Sequence, residues 1–138
     1  MGNYMHGHLE RREGRRWRLL DTGAEGLPDI FDGQDYEGFC LLAGVREEQV
    51  NERRQDKVVP MFSVEREPHL RGLPPDGIVG EDALLEEDWG AHWATLSEVL
   101  SHLKAHPFRE RDGGVVSKLR AIAETQDPER VRLVVWFD

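Results

Sequence analysis

The chain has 138 residues, 33 % of them charged, and a formal net charge of −9. That length predicts a single domain, residues 1–138, able to bury a core without metal or disulfide staples. Its lone cysteine, Cys40, excludes an internal disulfide framework, and no apolar run approaches the roughly 20 residues of a membrane helix. The stretch Met1 to Arg18 is polar and basic rather than a secretory signal, so the expected location is the cytoplasm. The acidic balance argues against nucleic acid as a partner over the whole surface, yet permits a local basic site.

Asn3 to Glu10 alternates, with Met5, Gly7 and Leu9 on one side and Tyr4, His6, His8 and Glu10 on the other. Glu13-Gly14 is a turn signal, and Trp17 and Leu19 then alternate with Arg16, Arg18 and Leu20. The pattern predicts a β-hairpin over 3–20. The stretch from Asp21 to Gln34 is rich in Gly, Asp and Pro and reads as loop. A helix follows with Asp35 as N-cap and Phe39, Leu42, Ala43 and Val45 at helical spacing. The charge cluster Arg46 to Lys57 has little pattern, Val58 to Val64 reads as a short strand, and Arg66 to Asp76 as a Pro-rich loop. Gly80 to Trp89 reads as an acidic helix, and Trp89 to Trp93 as a Gly-containing loop.

Thr95-Leu96-Ser97-Glu98 is a capping box that opens a helix with Leu96, Val99, Leu100 and Leu103 on its apolar face. His106-Pro107 ends that helix. Val115 to Thr125 predicts another helix, with Val116, Leu119, Ile122 and Ala123 inward. Val131 to Phe137 is apolar on both faces and predicts a central strand. The sum is an α+β fold: a mostly antiparallel sheet with an N-terminal hairpin and a C-terminal strand, and helices packed on one face.

Three groups of residues could carry chemistry. His6, His8 and Glu10 share one face of a strand, where two imidazoles and a carboxylate could close on a metal or line a cavity. The alternative is a polar face that meets water or pairs with Arg16 and Arg18 across the hairpin. Arg11, Arg12, Arg15, Arg16 and Arg18 form a positive patch at the hairpin tip, suited to phosphate or simply solvated. Trp89, His92 and Trp93 could stack on a ring; Trp93 equally fits the core as a hydrophobic staple. Cys40 falls within an apolar helix and reads as a small core residue.

Several segments, in order, resemble a family of small, uncharacterised bacterial and phage proteins with a Met-Gly-Cys-Asp-Ile-His type of N-terminus. Here the matching pieces are Met1 to His6 with Glu10, Gly14 to Trp17, Tyr36 to Arg46, Arg71 to Pro74, Trp89 to Leu96 and Val131 to Asp138. Tyr4 stands where that family has Asp, and Trp89 where it has His. If family members use those two groups with His6 and Glu10 on a metal or in proton transfer, this chain lacks half of the set. The resemblance therefore implies ligand binding more than catalysis, without a resident metal or cofactor.

The reading reached is a binder of a small anionic ligand, nucleotides included, encoded by a phage and capturing a host nucleotide signal to counter host defence. Arg16, Arg18, Arg46 and Arg71 would take phosphates; Tyr36, Trp89 and His92 would stack on or edge the ring; and His6, His8 and Glu10 would line the same cavity. Arg71 is expected to point toward His6. A metal-dependent hydrolase or nuclease using His6, His8 and Glu10 is the first alternative. An inhibitor that blocks a host enzyme with its acidic surface is the second. Homo-oligomerisation is left open.

Overall fold

Alternation along β1 (Met5–Glu13) and the all-buried run of β4 (Val131–Phe137) set the architecture. The computed structural model describes residues 4–20, 34–67, 69–80 and 89–137. Two further strands, β2 (Arg16–Leu20) and β3 (Trp89–Thr95), complete a four-stranded sheet of order β2-β1-β4-β3. Every neighbouring pair is antiparallel. Among the described residues, helices α1 (Tyr36–Ala43), α2 (Glu47–Asn51), α3 (Leu96–Ala105) and α4 (Val115–Ala123) and a short 3-10 turn (Pro128–Arg130) make up the rest of the regular structure. The α+β class, the hairpin and the C-terminal strand are as the sequence predicts.

Register decides which side chains meet the helices. Leu9 lies opposite Leu133, and Glu10 opposite Arg132. Met5, Leu9, Leu133, Val135 and Phe137 thus share the face that packs against Phe39, Leu42, Leu96, Val99, Leu119 and Ile122. His6, His8, Glu10, Arg132, Val134 and Trp136 point to the opposite face.

Local chemistry holds the helices in place. Asp35 caps α1 by accepting the Gly38 amide and also accepts the Val115 amide at 2.7 Å, so one buried carboxylate serves the starts of two helices. The fit is close: a Cβ on Gly38 would lie 2.8 Å from that of Val115. Gly44, at φ 70°, ends α1 in the left-handed conformation. The Thr95–Glu98 capping box is complete, with both reciprocal bonds formed.

The structure corrects three expectations. Val58 to Val64 is not a strand; it holds only an isolated bridge from Ser63 to His69. The 46–57 charge cluster contains the short helix α2, which buries none of its residues and so leaves no apolar signature. Trp89 to Trp93 is not a loop but the edge strand β3, its register broken by a bulge between Trp89 and His92. The acidic helix expected from Gly80 to Trp89 lies outside the described residues, apart from its two ends. Among the described residues, no helix is long and apolar enough to cross a membrane.

Candidate functional site on the open face of the sheet

The face turned away from the helices carries a buried ion network. Glu10 and Arg132 sit opposite each other, 0 % and 3 % exposed. Arg132 donates to Glu10 Oε1 from Nε at 2.9 Å and from Nη2 at 2.7 Å. Its Nη1 reaches Asp76 at 2.9 Å, and Nη2 also reaches the Gly77 carbonyl. Glu10 Oε2 takes His8 Nε2 at 2.6 Å and the Val79 amide at 3.1 Å. Segment 76–79 is thereby tied onto the sheet by polar bonds alone from these groups.

Burial by itself would raise the Glu10 pKa. The hydrogen bonds from His8, Arg132 and Val79 overcome it and hold the carboxyl below its usual range. The donors of Arg132 and Trp17 likewise depress Asp76. An ionised carboxylate only accepts, so His8 carries its proton on Nε2. Both Glu10 oxygens already accept two bonds each, which leaves this carboxylate no free lone pair for a metal ion. Among the described residues, no cluster of three or more His, Cys, Asp or Glu is arranged to hold one.

Rings and guanidinium groups alternate beside this network. The Arg132 guanidinium stacks 4.0 Å from the Trp17 ring centre and 5.9 Å from that of Trp93. Arg71 lies 4.5 Å from Trp93 and 4.8 Å from Phe62. Each such contact adds on the order of 0.5–2 kcal/mol, more where water is excluded. Trp17, Trp93, Arg132, Arg12 and Arg15 wall a cleft of about 350 Å³, with Pro75, Asp76 and Glu129 at its rim. An adjoining cleft of about 480 Å³ shares Arg12 and Glu129 and adds Gly14, Asp127 and Arg130. Arg12 spends its Nε on the Gly14 carbonyl, and Arg15 has no hydrogen bond or ion pair among the described residues.

The residues singled out in the sequence are scattered over this frame. His6, His8 and Glu10 do share the open face: His6 is exposed and stacks on Trp136, His8 is 13 % exposed, and Glu10 is sealed. Arg16 and Arg18 lie on the other side of the hairpin, where Arg18 pairs with Glu13 at 2.7 Å. Tyr36 packs against Phe39 on the helical side, with the Arg46 guanidinium 4.5 Å above its ring. Arg71 does not reach His6. It stands by β3 in a bidentate pair with Glu98, at 2.9 and 2.5 Å, while His6 is on β1 with β4 between them. That pair lowers the Glu98 pKa to about 2, against a smaller opposing effect of burial.

His92 and Trp93 exchange the roles expected of them. The strand sends His92 into the core, fully buried against Phe62, and leaves Trp93 half-buried on the open face. Desolvation pushes the His92 pKa down to about 4, and the Trp93 and Leu42 backbone groups only partly oppose it. Trp89 stays 38 % exposed beside Phe137. Cys40 is buried, its thiol pushed up to about 12 mainly by desolvation.

Sequence reasoning missed Arg132, Trp17 and Asp76 as site residues. The one signal for Arg132 was a charge inside an otherwise apolar strand. Compared with known protein families, curated proteins and solved structures, the chain matches none.

Proposed function

We propose that this protein binds a small anionic ligand of the nucleotide class in the cleft walled by Trp17 and Trp93. One observation carries the reading: Arg12 and Arg15 face a cleft with two indole walls, and Arg15 is unpaired among the described residues. Guanidinium groups suit phosphate oxygens, and indole faces suit a planar base. Arg132 is part of the same wall, stacked on Trp17, and Glu10 and Asp76 already neutralise it. If the chain is encoded by a phage, as the resemblance implies, such a binder would withdraw a host nucleotide signal.

A thermal-shift screen of nucleotides and pyrophosphate, with and without a chelator, tests this. A ligand at a hundred times its Kd should add about 2.7 kcal/mol of stability. No shift with any nucleotide or with pyrophosphate refutes the reading. Turnover that appears only with divalent metal replaces it with the hydrolase.

A further inference from the structure

The unpaired groups of the cleft have both signs. Glu129 begins no ion pair among the described residues, although Arg12 and Arg15 line the same cleft and Arg130 the adjoining one. Among the described residues its hydrogen bond is that of its backbone amide to Asp127 Oδ1. A lone carboxylate and the spare guanidinium of Arg15 therefore face the space between two indole walls.

From this arrangement we infer that the ligand's base is guanine; the inference rests on the binding reading above. Guanine presents adjacent N1–H and N2–H donors on one edge, which a carboxylate accepts as a pair. On another edge it presents O6 and N7, which a guanidinium serves as a pair. Adenine turns a lone pair at N1 toward any carboxylate on that edge. Cytosine sets a lone pair at N3 beside its amine, and uracil flanks its single N–H with two carbonyl oxygens. Among the four bases guanine alone offers a pair of adjacent donors to a carboxylate together with a pair of adjacent acceptors to a guanidinium. Glu129 reads the donor edge, Arg15 the acceptor edge, and Trp17 stacks on the ring. The shared residue Arg12, whose terminal nitrogens have no partner among the described residues, leads to Arg130 in the second cleft. Arg130 is held only loosely by Asp127, at 3.8 Å. The phosphates lie at Arg12, where the two clefts meet.

The test is a titration of GMP, IMP, AMP and pyrophosphate followed by tryptophan fluorescence. GMP should bind about tenfold more tightly than IMP, which lacks the 2-amino group, and about thirtyfold more tightly than AMP. Glu129→Gln, an exposed change whose folding circular dichroism checks, should bring GMP within about threefold of IMP without weakening pyrophosphate, since Glu129 also lines the second cleft and its charge opposes an anion there. Equal binding of GMP and AMP, weakened alike by Arg12→Ala, overturns the guanine inference and leaves the anion-binding reading standing. A GMP preference that survives Glu129→Gln overturns the assignment of Glu129. No response to any of the four probes at millimolar concentration overturns the binding reading and this inference with it.

Discussion

Leu9 and Glu10 are neighbours on β1, and both are sealed from water, but opposite forces hold them. Leu9 sits among aliphatic side chains from strands and helices, where area removed from water stabilises at about 25 cal/mol per Å². Glu10 sits among donors. Its desolvation is offset only because each oxygen finds partners of good geometry. The helical face tolerates many apolar side chains of the right volume. The open face tolerates few changes, because removal of a partner leaves a buried charged group short of hydrogen bonds. A sheet with an apolar face and an ionic face is thus specified more strictly on the ionic one.

The largest expected effect comes from breaking that ion pair. Glu10→Ala should cost about 3–5 kcal/mol in urea unfolding, since the buried Arg132 loses both of its bonds to Glu10 and keeps only the half-exposed Asp76 as counter-charge. Leu133→Ala, across the same strand pair, should cost about 2–5 kcal/mol through its cavity. The contrast lies in rescue. Replacing Glu10 with Leu and Arg132 with Met together should recover most of the loss, whereas no second change on the open face recovers Leu133→Ala. A Glu10→Ala cost below about 1 kcal/mol would remove the distinction between the faces.

His92 lets acid probe the helical face. Above pH 6.5 it is neutral in both states. As pH falls, the unfolded chain takes up a proton near 6.5, while the folded chain does so only near 4. Stability is therefore complete above pH 6.5 and lost between pH 6.5 and 4, by about 3 kcal/mol. Urea midpoints for His92→Leu should fall less steeply than those of the parent chain across that window; the slope that remains belongs to His102, whose pKa burial also lowers. Glu98 acts lower: its folded pKa is depressed to about 2 from 4.5, so its contribution holds above pH 4.5 and fades toward pH 2.

Smaller effects sharpen the comparison. Thr95→Ala removes the capping box and should cost about 1 kcal/mol. Arg15→Ala should change stability by less than about 0.5 kcal/mol, as for an ordinary surface site. It should still weaken GMP about tenfold in the fluorescence titration. Lost stability with unchanged GMP affinity would make Arg15 part of the fold instead of the site.

Legibility followed the range of the interaction. The hairpin, the capping box and the central strand announce themselves within a few residues, through period-two alternation, a Thr-to-Glu spacing and an unbroken apolar run. The strand at 89–95 did not, because the bulge at Gly90 breaks its alternation just where two tryptophans and a histidine suggest a loop. The hairpin's arginines were recognised as a cationic patch. Which of them face the cleft follows from the pairing of Arg12 with Trp17, a matter of register. Glu10 and Arg132 are 122 positions apart, so no local pattern could join them. Arg71 was expected to serve a ligand. Its partner Glu98 also belongs to the capping box, a double use that spacing does not reveal.

The two outer strands have one more consequence. Every exposed strand margin offers amide and carbonyl groups to a passing chain, and so invites strand addition. On β2 the margin runs through Arg16 and Arg18, so a second copy approaching it would set like charges side by side. On β3 the bulge at Gly90 interrupts the spacing that an added strand would need. Among the described residues the sheet stops at four strands, and its two margins resist strand addition by a second copy through different means.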